Sequence, residues 1–197
     1  MTPSWIRPLR RIGWGLTLIL FDVRLGSVDV LPDAIGYILA ASGLRAISPG
    51  IPSFLWAGRL SWLLVLLSLA DPFFAFTFAN AEEMRPPYIH AVGQIYFALH
   101  AVFVLLLCYG FEGLALKWRA LELLQAIRTR RSFYAFVTFV MLLFYPFVFN
   151  MDYSDWFLTK VAGAGLIVLL EFLVLRIPFR LSRIKPLKKG GNLDVYG

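Results

Sequence analysis

Cysteine occurs once in the 197-residue chain, at Cys108. An intrachain disulfide and a cysteine metal cluster are therefore both excluded. Histidine occurs only twice, at His90 and His100, which leaves no basis for a histidine-rich metal site. Charge is also scarce. Asp, Glu, Lys and Arg make up 16% of the chain, against about 25% in a soluble domain. No phosphate-binding glycine loop, HExxH, convincing GxSxG or paired-histidine motif is present, so catalysis has little support, and no cofactor and no metal are expected.

Apolar sequence fills the space. The chain is 59% hydrophobic and 16% aromatic, with a mean hydropathy of +0.73. That composition is improbable for a soluble fold and fits a single all-α membrane domain. Six segments approach bilayer length, at 8–25, 31–47, 53–70, 88–109, 132–149 and 155–177. Breaks between them fall at Gly, Pro, Asn or clustered charge. The stretch EGLALKWRALELLQAIRTRR, from Glu112, is rich in helix formers but too charged to span. It is expected to extend the fourth helix into water or along the membrane surface. The domain is expected to cover 1–182, with a basic, Gly-rich, flexible tail over 183–197.

The net charge of +7 comes without a nucleic-acid-binding motif. It is read as a report of orientation and of contact with anionic lipid, and no nucleic acid is expected as partner. In a six-span arrangement, sixteen of the nineteen Lys and Arg residues fall on one side. The other side holds only Arg24, Arg85 and Lys160, with Asp22, Asp29, Asp33, Asp71, Glu82, Glu83, Asp152 and Asp155. Both termini are therefore expected to be cytoplasmic. Trp5, Trp56, Trp118 and Trp156 lie near expected span ends, where such rings favour the headgroup region. The stretch RPLRRIGWGLTLILF has a basic start and a short apolar core but no convincing cleavage site after it, so it is read as a retained first helix. Gly36, Gly93 and Gly163 each follow a re-entry by about one turn, which raises three stacked helical hairpins as an alternative arrangement; their unequal spacing makes that repeat weak.

The first hairpin places charge unusually. FDVRLGSVDVLPD carries Asp22, Arg24, Asp29 and Asp33 between two apolar runs. Ten residues separate Arg11 from Asp22, only about 15 Å of helix, so Asp22 is expected about one turn below the outer surface, with Arg24 as its counter-ion. Asp29, Pro32 and Asp33 suit the start of the second helix: Asp29 as cap, Pro32 in the first turn, and Asp33 at the positive helix end. Asp71 beside Pro72 suits either a helix end or an acid lining a cavity at a kink.

On the fourth helix, His90, Gln94, Cys108 and Glu112 fall within about 40° of one another, with His100 on another face. His90 with Asp71 and the acids of the first hairpin is a candidate outer-leaflet cation or proton site; a histidine bonded to a neighbouring helix is the ordinary alternative. Glu171 lies inside LIVLLEFLVL, where an acid is costly unless paired or protonated, with Arg45, Arg59 or Lys117 as inner-side partners. GAG at 163–165 reads as close helix packing.

The phrase at Phe21, Asp22, Gly26, Asp29, Leu31, Pro32, Asp33, Gly36 and Tyr37 resembles a group of small, uncharacterised multi-pass membrane proteins of Gram-positive bacteria. The resemblance covers the first two helices and implies residence in the cytoplasmic membrane without implying any chemistry. Three functional classes follow from the residues. The favoured one is a non-catalytic accessory or regulatory membrane component with a membrane-protein partner or a second copy of itself. The alternative is a small transporter or channel subunit for an ion or small solute, using Asp22, Arg24, Asp71, His90 and Glu171. A lipid-acting enzyme is the least supported.

Overall fold

The computed structural model describes residues 5–21, 24–25, 28–29, 33–78, 87–145, 147 and 153–184; at 24–25, 28–29, 71–78, 87–90 and 153–160 it describes the backbone alone. Among the described residues six helices run in chain order: α1 Ile6–Leu20, α2 Asp33–Ile47, α3 Pro52–Phe78, α4 Pro87–Lys117, α5 Leu121–Phe144 and α6 Tyr153–Leu181. A two-residue antiparallel ladder, β1 Arg24–Leu25 with β2 Val28–Asp29, interrupts the helical pattern between α1 and α2. Each helix packs against the next, α6 closes back onto α1, and α4 also meets α6 across the bundle.

The pattern of apolar residues explains which faces turn inward. On α1, Leu9, Ile12, Leu16 and Ile19 recur at helical spacing and are all buried, whereas Arg10 and Arg11 point out. The helix stops at Leu20, where the Phe21 amide donates to Thr17 O. The expected first span therefore ends five residues early: Arg24 and Leu25 pair with Asp29 and Val28 instead of continuing the helix. Asp29 lies in β2, and α2 is described from Asp33.

Between α1 and α2 the backbones nearly touch. A Cβ on Gly15 would lie 2.6 Å from Gly36 O and 2.7 Å from Ala40 N, and one on Gly36 would lie 2.8 Å from Gly15 O. Only hydrogen fits there, so the small residues set the helix separation. Gly93 and Gly165, by contrast, have nothing within 4 Å, and Gly163 abuts the side chain of Met141. The three re-entry glycines thus have different surroundings, and the GAG triplet packs closely at its first glycine but not its last.

The fourth helix ends sooner than expected, and its charged continuation divides in two. The Ala120 amide donates to Ala115 O and the Arg119 amide to Leu116 O, the paired bonds of a helix C-terminus with its left-handed residue at Arg119, φ 56°. From Leu121 the chain is already α5, which runs unbroken through Arg128, Arg130 and Arg131. Those guanidiniums find acceptors: Arg128 Nε donates to Glu112 Oε1 (2.6 Å), Arg131 donates to Glu112 Oε2, and Arg130 donates to Leu173 O (2.6 Å). Burial, with Arg180 and Arg176 nearby, lowers the pKa of Arg130 from its ordinary value. Trp5 and Trp118 meet at the same end, with ring centroids 5.8 Å apart.

Among the described residues, three helices are long and apolar enough to cross a membrane: Pro52–Ala70, Ala91–Lys117 and Val161–Leu181. The most apolar window of each is no more than 33% buried, and the outward residues include Trp62, Leu66, Ile95, Leu166 and Leu169. Apolar surface on that scale suits lipid, not water. α1 and α2 have 15 residues each, about 22 Å of helix against a hydrocarbon core of about 30 Å. The protein is thus a helical, membrane-embedded bundle in which, among the described residues, three helices meet the criteria for a full span by themselves.

Candidate functional site

Polar side chains from five helices converge in the apolar interior. Asp33 and Tyr37 stand one turn apart on α2, and Tyr96 and His100 stand one turn apart on α4, so each pair shares a helix face. The two faces oppose each other. Tyr96 Oη lies 3.3 Å from Asp33 Oδ2 and 3.3 Å from Tyr37 Oη, and Tyr37 Oη lies 2.7 Å from His100 Nδ1. The other side of the imidazole continues the chain: His100 Nε2 is 3.0 Å from Glu171 Oε1 on α6, and Tyr134 of α5 donates to the same oxygen at 3.2 Å. From α3, Ser61 donates to Tyr37 O at 2.8 Å.

The middle of this chain lies in the core, and Asp33, Tyr96 and Glu171 are half-buried. Tyr37 and Tyr134 are fully buried and His100 is 8% exposed. Phe103 packs edge-on against the Tyr37 ring, centroids 5.6 Å apart, fixing the phenol that faces the imidazole. The donors and acceptors fit one neutral-histidine assignment. In it Tyr37 donates to Nδ1, Nε2–H donates to Glu171 Oε1, and Tyr134 supplies that oxygen's second donor. The Glu171 oxygen held by two donors and the ring held from both sides are each satisfied.

Beside the imidazole lies a small pocket lined by Leu16, Ile19, His100, Val104, Glu171 and Val174. Its room is about that of one water molecule. Among the described residues, no group of three His, Cys, Asp or Glu side chains stands together to hold a metal ion. Cys108 is buried two turns further along α4.

The residues singled out from sequence are distributed unevenly around this chain. Glu171 sits in it, held by His100 and Tyr134 and not by Arg45, Arg59 or Lys117. Asp33 is the first residue of α2 and accepts from Tyr96. Asp71 lies within α3, which continues through Pro72 to Phe78, and His90 lies in the first turn of α4; the side chains of both are outside the described residues. Those of Arg24 and Asp29 are outside them as well, as are Asp22 and Pro32 altogether.

His100, Tyr37, Tyr96 and Tyr134 are the members that sequence reasoning passed over. A local signal existed, since DAIGY and YFALH each put a second polar group one turn from the first. No family model matches the chain, and no curated protein or solved structure does either.

Proposed function

We propose that this chain is a non-catalytic accessory or regulatory component of a bacterial cytoplasmic membrane, assembling with another membrane protein or a second copy of itself. The observation that supports it best is the closure of the central polar chain. Asp33, Tyr96, Tyr37, His100, Glu171 and Tyr134 bond to one another across α2, α4, α5 and α6. Such a chain spends its polar groups on holding helices together. Broad apolar faces remain available for lipid or a partner, including Phe133, Phe136 and Phe139 on α5, each at least 60% exposed. The border of the pocket at Glu171 favours a second reading, a small transporter or channel subunit for an ion or small solute.

In the full reading the chain crosses the membrane six times with both termini cytoplasmic, and the basic end around Arg130, Arg176 and Arg180 meets anionic lipid. The Lys and Arg distribution supports this orientation. With Cys108 replaced by alanine, single cysteines at Ser27→Cys, Asn80→Cys and Ser154→Cys are expected to label from outside intact cells, and Gly190→Cys is not. The reverse pattern sinks the orientation. A photo-crosslinking residue at Phe136 tests the assembly reading. One reproducible protein adduct, of a membrane partner or of the chain itself, is expected; adducts to lipid alone at Phe136, Phe139 and Trp62 contradict it.

A further inference from the structure

We propose that His100 and Glu171 form a proton-binding site whose occupancy is passed through Tyr37 and Tyr96 to Asp33. This goes beyond the accessory reading and does not depend on it. The geometry carries the proposal. The imidazole lies between a phenol 2.7 Å from Nδ1 and a carboxylate 3.0 Å from Nε2, so both nitrogens already have an oxygen placed to accept a hydrogen bond.

Two proton arrangements satisfy this chain of groups, and they differ by one proton. Without it, Tyr37 donates to Nδ1, Nε2–H donates to Glu171, and Tyr96 has both Tyr37 Oη and Asp33 Oδ2 within 3.3 Å as acceptors. With it, a new N–H bond forms at Nδ1 and no covalent bond between heavy atoms changes. The imidazolium then donates from both nitrogens, to Glu171 and to the Tyr37 oxygen. Tyr37, no longer needed as donor to the ring, turns its hydrogen to Tyr96 Oη, and Tyr96 commits its own hydrogen to Asp33. The positive charge rests beside the Glu171 carboxylate, and the change is felt at the first residue of α2.

The surroundings suit one proton. Among the described residues, the titratable groups facing the ring are Tyr37 and, beyond it, Asp33 from α2, Tyr96 from α4, Glu171 from α6, and Tyr134 of α5 behind Glu171. Cys108 lies further along α4. The nearest side chains from α1 are Leu16 and Ile19, and α3 brings Ser61; none of these titrates. The adjoining pocket, edged by both His100 and Glu171, has room for about one water to deliver the proton.

Nitrogen NMR of histidine-labelled protein in nanodiscs tests this directly. The chain has only two histidines, so His90→Gln leaves the signals of His100 alone. As the pH is raised across the range in which the protein stays folded, His100 is expected to pass from a doubly protonated ring to the Nε2–H tautomer in one step. Glu171→Gln removes the anion and is expected to weaken proton binding by about tenfold or more. Tyr96→Phe removes the acceptor that Tyr37 needs in the protonated form and is expected to weaken it by a smaller step. Tyr134→Phe leaves the carboxylate with one donor fewer and is expected to strengthen it. The two phenylalanine variants keep the test valid even if Glu171→Gln does not fold. A ring that keeps one neutral tautomer over the whole range overturns the site. A midpoint that Tyr96→Phe does not move overturns the coupling to Asp33.

Discussion

Replacing His100 with leucine is expected to lower stability by about 3 kcal/mol, because the substitution keeps the volume filled while taking a donor from the Glu171 carboxylate and forcing Tyr37 to turn to Tyr96. Tyr37 loses its acceptor at 2.7 Å and Glu171 loses its donor at 3.0 Å. The carboxylate then retains Tyr134 alone, in a site where its side chain is only 17% exposed. Removing one member of a buried pair costs more than the pair itself contributes, since an acid left behind must either stay charged in apolar surroundings or take up a proton. For a chain of this size that loss corresponds to a fall of about 6–12 °C in Tm. Thermal unfolding of the detergent-solubilised protein, followed by tryptophan fluorescence, measures it. His100→Gln, which keeps one donor and one acceptor near the ring positions, is expected to lose less than half as much.

A single methyl group in the α1–α2 seam is expected to have a comparable effect. Gly15→Ala would place Cβ 2.6 Å from Gly36 O and 2.7 Å from Ala40 N. Both contacts are backbone atoms, which cannot rotate aside as a side chain does, so the helices must separate along their length. Overpacking of this kind costs about 1–3 kcal/mol, and the upper end is expected here. Ile12 and Ile19, which lie against Gly43 and Gly36, would lose contact with α2 as the seam opens, although neither of them changes. Gly165→Ala is the matched control: nothing lies within 4 Å of its added Cβ, and alanine is the better helix former. Its expected effect is neutral to slightly stabilising by the same unfolding measurement.

Which parts of this arrangement could be read from sequence follows from the range of each interaction. The apolar runs behind α3, α4 and α6 are local, and each contains a stretch long enough to span. Glu171 also stood out by itself, as an acid among aliphatic residues. Its partner did not, because His100 lies 71 positions away and only the packing of α4 against α6 brings the two together. Periodicity assigns residues to a face, but it does not say which helix that face meets.

Charge misled where it was neutralised by folding. Arg128, Arg130 and Arg131 marked a break before the fifth apolar run, yet α5 begins at Leu121 and carries all three through it. Glu112 and Leu173 O receive their hydrogen bonds, so the arginines help dock the start of α5 without ending it. At the first hairpin the apolar run before Asp22 suggested a longer helix. Phe21 closes α1 through Thr17 O, and the β1–β2 ladder that follows depends on pairing between Arg24 and Asp29 that hydropathy does not encode.

The central claim is that one continuous polar chain ties α2 and α4 to α5 and α6, with the His100–Glu171 contact at its middle. A double-mutant cycle on that contact is the most direct test. His100→Leu and Glu171→Leu are each expected to cost about 3 kcal/mol, whereas the double variant, which leaves neither a stranded acid nor a stranded imidazole, is expected to cost less than their sum by at least about 1.5 kcal/mol. Strict additivity of the two losses would contradict the account.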